Sequence, residues 1–145
     1  MKIVLPCTVL IIMTLLLTGA EGPSAVTYVD HEKVAAAFSK GGSLARGSDF
    51  TASGARRTSA GQVEVHEKET DIIYVVDREA TFVAGGTMLG GQQTKAGQLL
   101  GTDIEGGTTH HLAKGDMVVV AAGTPHWFKE VPQSVNYFLV KVIKP

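Results

Sequence analysis

The sequence predicts an all-β domain, an antiparallel sandwich or small barrel, preceded by one short helix. From Phe50 onward, short β-prone runs alternate with glycine-rich turns, and no long helical period interrupts them. The 145-residue chain shows no internal repeat, low-complexity tract or charge block that would divide it.

Lys2, the apolar run 3–17 and then Thr18-Gly19-Ala20 form the pattern of a secretory signal peptide, with small residues placed for cleavage after position 20. A membrane anchor is the competing reading. Pro6 interrupts the run, however, and its length falls short of the roughly 18–20 apolar residues that span a bilayer. The expected organisation is therefore a signal peptide at 1–20, a helix and linker at 21–49, and the β domain at 50–145, in a periplasmic or extracellular protein with no stable membrane anchor. Cys7 is the only cysteine and leaves with the leader, so the exported chain must hold together by core burial without disulfides. Thirteen basic residues against fourteen acidic ones give no electrostatic claim on nucleic acid or anionic membranes. A small molecule or a protein is the expected partner.

Residues 29–42 read as the helix. Asp30 can accept hydrogen bonds from first-turn amides, Gly41 can end the helix in a left-handed conformation, and Val34 and Phe38 share a face that packs against the outside of the domain. His31, in the first turn, is expected in solvent. The strands expected are 63–66, 72–76, 80–84, 98–102, 117–121 and 135–143, with 41–61 a loop containing at most one strand and 85–97 a flexible connection.

In a strand, residues i and i+2 point to one face, so Glu64 and His66 project together, away from Val63 and Val65. From this segment alone, a wet face of Gln62, Glu64, His66 and Lys68 is an equally open reading. A second cluster, 115–128, is a strand entered through Gly115-Asp116, then a Gly123-Thr124-Pro125 turn that delivers His126 to the next strand. His126 shares its face with Phe128, so a buried, hydrogen-bonded histidine is its plain structural reading.

Together the two clusters resemble the paired motifs of the cupins, small β-barrels of double-stranded β-helix type: G-x5-H-x-H-x4-E-x6-G and G-x5-P-x-G-x2-H-x3-N. The resemblance covers about 50–143. Position by position, H-x-H falls on Glu64-Val65-His66, the glutamate on Asp71 and the closing glycine on Arg78. The second motif falls on Gly115, Ala121 in place of proline, Gly123, His126, and Glu130 in place of asparagine. The alternative register pairs His66 with Lys68, puts Ile73 at the carboxylate position, and leaves a cation where a ligand belongs.

The resemblance implies a mononuclear divalent-metal site at Glu64, His66, Asp71 and His126. Two imidazoles and carboxylates without thiolates suit Fe or Mn first, with Zn or Ni as alternatives. Glu64 in place of histidine would leave a divalent ion formally neutral rather than singly positive, hence a weaker Lewis acid. Arg78, at a glycine position, implies either a different turn or accepted strain.

His110 shares a face with Leu112 and is a weak catalytic candidate, as a barrel-lining donor or general base; His111 faces the other way. Tyr74, Phe82, Phe128 and Phe138 are expected in the core or pocket wall. Trp127, opposite His126, is a candidate subunit contact. The last strand is apolar on both faces over part of its length, as in a strand covered on both sides, which points to a homodimer. The expected function is a metal-dependent enzyme on a small oxygen-rich substrate, an oxygenase first and a lyase or isomerase next. The alternatives are a binding module without turnover, and a decayed site acting through protein partners.

Overall fold

The computed structural model describes residues 25–145; the expected signal peptide lies outside them. Asp30 accepts a hydrogen bond from the Lys33 amide (2.9 Å) and opens helix α1 (His31–Lys40), which Gly41 ends at φ 76°. Both caps are where the sequence predicts them.

Thirteen strands follow among the described residues: β1 (Gly42–Arg46), β2 (Phe50–Arg57), β3 (Val63–His66), β4 (Glu69–Arg78), β5 (Ala80–Ala84), β6 (Thr87–Leu89), β7 (Gln92–Lys95), β8 (Gln98–Gly101), β9 (Asp103–Glu105), β10 (Thr108–Leu112), β11 (Met117–Val120), β12 (His126–Glu130) and β13 (Val135–Ile143). They form a five-stranded sheet ordered β1-β2-β13-β4-β11, a six-stranded sheet ordered β10-β5-β12-β3-β8-β7, and a two-stranded β6-β9 ribbon. Every pairing is antiparallel.

The inner faces of the two larger sheets meet over a core of Ile73, Val75, Ala80, Phe82, Leu112, Val120, Phe128, Val135 and Tyr137. Alternation sets this arrangement. On β13, Val135, Tyr137, Leu139 and Lys141 face inward, and the last three lie opposite inward residues of β4: Tyr137 faces Val75, Leu139 faces Ile73 and Lys141 faces Asp71. The helix lies on the outer face of the five-stranded sheet, where Ala37 is its buried residue and Val34 and Phe38 are half-buried. A Cβ on Gly54 of β2 would sit 2.8 Å from the Ala37 backbone, so glycine is what lets the helix approach so closely.

Several expectations need correction. The stretch 41–61 contains two strands, β1 in the linker and β2, both part of the five-stranded sheet, and 85–97 contains β6 and β7. Tyr74 and Phe138 face outward, Tyr74 exposed and Phe138 half-buried, because both alternate with core residues. Lys68 is exposed, which leaves Glu64 rather than Lys68 as the inward partner of His66. Arg78 does adopt a positive φ of 66°, the one non-glycine residue to do so among those described. It accepts the strain a glycine would avoid, and its guanidinium donates to the Gln133 side-chain carbonyl.

Candidate metal centre

The site is built where β3, β12 and β4 face one another across the barrel. On β3, Glu64 and His66 share the inward face. On β12, His126 is the direct cross-strand partner of Glu64. The turn before His126 is fixed by three backbone hydrogen bonds: Gly123 N to His66 O (2.8 Å), Thr124 N to Ala121 O (3.1 Å) and Gly85 N to Pro125 O (2.9 Å). Gly123, at φ 83°, supplies the left-handed step that this turn needs. Asp71 enters from β4 in the opposite sheet.

The structure therefore brings all four sequence-predicted residues together. His66, Asp71 and His126 are buried and Glu64 is half-buried. His66 Nε2 lies 3.3 Å from Glu64 Oε2 and 3.7 Å from Asp71 Oδ2, and His126 Nε2 is also 3.7 Å from Asp71 Oδ2. One donor atom from each of Glu64, His66 and His126 fits within a 4.8 Å cluster. The imidazole centroids are 5.3 Å apart. Phe82 backs His126 at 6.1 Å and meets Phe128 edge-on at 4.9 Å, which walls the site with apolar surface.

The chemistry of the donors fits a divalent ion at three of these positions. His126 Nδ1 lies 3.1 Å from the Thr124 carbonyl, so the neutral ring carries its proton there and turns the Nε2 lone pair toward the cluster. His66 presents Nδ1 to Glu69 Oε2 at 3.6 Å, an outer carboxylate of the kind that orients a ligating imidazole.

Asp71 is differently engaged. Lys141 places its ammonium 2.9 and 3.0 Å from the two Asp71 oxygens and 3.0 Å from Glu69 Oε2. Neither Lys141 nor Glu69 stands out as a site residue in the sequence. Lys141 belongs to an apolar strand, and its inward direction follows only from the β13–β4 register. Arg57 is the other cation at the site. Its Nη2 is 3.6 Å from Glu64 Oε1, its guanidinium sits 5.0 Å from the Phe128 ring centroid, and its buried Nε has no hydrogen-bond partner among the described residues.

A cavity of about 70 Å³ lies inside, lined by residues including Arg57, Glu64, Asp71, His126 and Lys141. A groove of about 350 Å³ opens on the outer side of His66, lined also by Glu69, Lys95 and Gln98. The inner space suits a few small atoms, whereas the groove is of small-molecule size.

His110 does not join the site. It is exposed on β10, the edge strand of its sheet, beside a groove lined by Met117 and Val119 of the other sheet's edge. Among the described residues no strand lies beyond β10 to close that face, so the expected barrel-lining role is lost. Trp127 is half-buried and donates to the Gly61 carbonyl (2.7 Å), which ties the loop after β2 to β12.

Electrostatics follow from these contacts. A hydrogen bond from His66 holds the Glu64 carboxyl below the usual carboxylate range, against the opposing effect of burial. Burial pushes His126 below the ordinary imidazole value, although the Thr124 carbonyl and the nearby carboxylates favour its charged form. Burial raises Glu69, but the Lys141 hydrogen bond and charge outweigh it.

For Glu64 and His126 the folded values lie below the unfolded ones, so unfolding takes up protons as the solution is acidified. Their stabilising contribution is present above about 6.5 for His126 and about 4.3 for Glu64, and is lost as pH falls below those values. The denaturant midpoint of the metal-free protein should therefore drop between about pH 7.5 and about pH 5. A midpoint that rose over that interval would contradict this placement of His126.

No protein-family model and no curated protein matches this chain. Solved structures do. The cupin domain of Cnp3 from Schizosaccharomyces pombe superposes with a TM-score of 0.52 at 11% identity, covering 71% of this chain and 59% of that one. Hydroquinone 1,2-dioxygenase from Sphingomonas sp. TTNP3, with 4-hydroxybenzoate bound, gives 0.51 at 12% identity, covering 71% and 65%. A Bacillus halodurans protein gives 0.51 at 10% identity, covering 71% and 69%. The chain thus spans less than two thirds of the Cnp3 domain and of the dioxygenase. At such identities the likeness concerns architecture alone, and that architecture is the one the paired motifs imply: the chain has the fold of the Cnp3 cupin domain.

Proposed function

We propose that this protein holds one divalent metal ion at the cluster of Glu64, His66, Asp71 and His126, and uses it to act on a small oxygen-rich molecule. Oxygenase chemistry is the first expectation and lyase or isomerase chemistry the next; export is supported by the leader pattern. The observation that carries this reading is the convergence of Glu64, His66 and His126 donors within 4.8 Å, two of them buried. Two imidazoles and one carboxylate are the donor set of many non-haem Fe(II) centres. An ion bound there would supply Lewis acidity and, for iron or manganese, one-electron chemistry.

The chain's own residues do the rest. Thr124 fixes the His126 tautomer, Glu69 orients His66, Arg57 steadies Glu64, and Phe82 and Phe128 keep bulk water from the inner side. The groove beside His66 gives a substrate its approach. Because Lys141 balances the Asp71 charge, the divalent ion and its Glu64 ligand retain one positive charge. The centre is then a stronger Lewis acid than a count of two free carboxylates implies.

One observation favours the decayed-site alternative: an ammonium already sits on Asp71 and Glu69. Elemental analysis of protein purified without chelators separates the two readings. The metal reading expects about one ion per chain in wild type and a loss of about 10–100-fold or more in affinity for His66→Ala/His126→Ala. Equal, negligible metal in both proteins would leave the decayed-site reading standing.

We also propose a homodimer formed through the β11 edge of the five-stranded sheet. Met117 and Val119 are exposed there beside Tyr74, on a strand with no neighbour on its outer side among the described residues. A two-fold pairing of this edge is self-complementary and would cover both the apolar side chains and the unpaired backbone. Light scattering should show a dimer that Val119→Lys converts to monomer. A wild-type monomer at all concentrations would end this proposal.

A further inference from the structure

Two groups of metal-ligating side chains share His66. Donor atoms of Glu64, His66 and His126 lie within 4.8 Å of one another, and so do those of His66, Glu69 and Asp71. In the first group a cation meets only one atom: Arg57 Nη2 lies 3.6 Å from Glu64 Oε1, while Glu64 Oε2 is turned to His66 Nε2 at 3.3 Å. In the second, both carboxylates are already engaged by one, because the Lys141 ammonium lies within 3.0 Å of both Asp71 oxygens and of one Glu69 oxygen.

This arrangement is built into the sheet. Lys141 is the direct cross-strand partner of Asp71 on β13, and it is the charged residue on an inward face otherwise formed by Val135, Tyr137 and Leu139. Its side chain is 20% exposed and that of Asp71 only 5%. The pair is therefore screened far less than a surface ion pair.

We propose that Lys141 is the resident cation of the second group. It withdraws Asp71 from ligation, makes the metal centre a three-donor site of Glu64, His66 and His126, and keeps a second metal ion out. This rests on the metal reading above and adds to it which carboxylate ligates and why. Ligation by Asp71 would bring a divalent ion close to an ammonium held at 2.9 Å from the same carboxylate. That repulsion is relieved only if Lys141 leaves two charge-assisted hydrogen bonds behind. The lysine acts through Asp71 and is a positioning residue.

A double-variant cycle read by cobalt(II) titration tests this, using visible absorption for the ligand field and calorimetry for affinity. In the wild-type background Asp71→Asn should change the affinity by less than about threefold, well below the roughly 10–100-fold associated with disturbing a metal site. Lys141→Met should bind cobalt at least about tenfold tighter, with an altered absorption spectrum as Asp71 joins the ligands, and adding Asp71→Asn should remove both changes. Lys141→Arg, which keeps a cation, should behave as wild type.

If Asp71→Asn weakens wild-type binding by about tenfold or more, Asp71 ligates despite Lys141 and the inference is overturned while the metal reading survives. If none of these five proteins binds cobalt, the metal reading itself fails. Should Lys141→Met not fold, the comparison of wild type with Asp71→Asn still decides the point.

Discussion

Replacing Lys141 with methionine should destabilise the metal-free protein by about 3–5 kcal/mol at neutral pH, because it leaves the Asp71 carboxylate buried with its charge uncompensated. Asp71 is 4% exposed and both of its oxygens bond the ammonium at 2.9–3.0 Å. The removed charge is thus not one that water can replace. For a domain of this size the loss corresponds to a fall in Tm of roughly 10–20 °C. Asp71→Asn added to Lys141→Met should recover much of it, since a neutral amide costs far less to bury than a lone carboxylate. A saturating divalent ion should recover part of it as well, by giving Asp71 another cation. A Lys141→Met protein as stable as wild type in the absence of metal would show that the ion pair contributes little and that the Asp71 side chain reaches solvent on its own.

The second large effect is expected at Phe82. Its side chain is fully buried, it meets Phe128 edge-on at 4.9 Å, and it stands behind the His126 ring at 6.1 Å. Phe82→Ala removes a large apolar side chain from the centre of the core and should cost about 3–5 kcal/mol. The cavity also frees the wall against which His126 is held, so metal affinity should fall although no ligand is changed. Phe82→Leu retains most of the volume and should cost less than half as much. Denaturant unfolding of both variants, with metal titration on each, checks the pair of effects. An alanine variant that loses stability yet binds metal as tightly as wild type would show that the Thr124 hydrogen bond alone positions the imidazole.

Alternation and turns made much of this architecture readable in advance. The β3 and β13 bounds, the helix with its two caps and the placement of Glu64, His66, Asp71 and His126 in one barrel all follow from local pattern and the paired motifs. What escaped is of a different physical kind. β1 and β7 carry Gly, Ser, Thr and Gln without regular apolar alternation, and β6 is only three residues long. They are strands because neighbouring strands supply their hydrogen bonds, which no local propensity reports. Tyr74 and Phe138 read as core by composition and turned outward by register.

Lys141 and Glu69 were missed for the same reason. The run V-N-Y-F-L-V-K-V-I is apolar on both faces for much of its length, so a lysine near its end looks like a solvent-facing terminus. Only the pairing of β13 with β4 sets it opposite Asp71. The one signal available was its period-two spacing from Tyr137 and Leu139, and that became informative once those two residues were known to be buried or half-buried. His110 failed in the opposite sense, since sharing a face with a core leucine means little on a strand with an open side.

Strand β13 lies between β2 and β4, and each of its residues from Val135 to Ile143 has a partner on β4. The peptide carrying Lys141 consequently cannot peel away by fraying, and its withdrawal would require the sheet to come apart at its middle. Exchange of the ammonium for an incoming ion must then proceed through torsions of four side-chain bonds in a partly solvated stem. Such motion is far quicker than unfolding, so any displacement of the ammonium by an ion would leave the backbone in place.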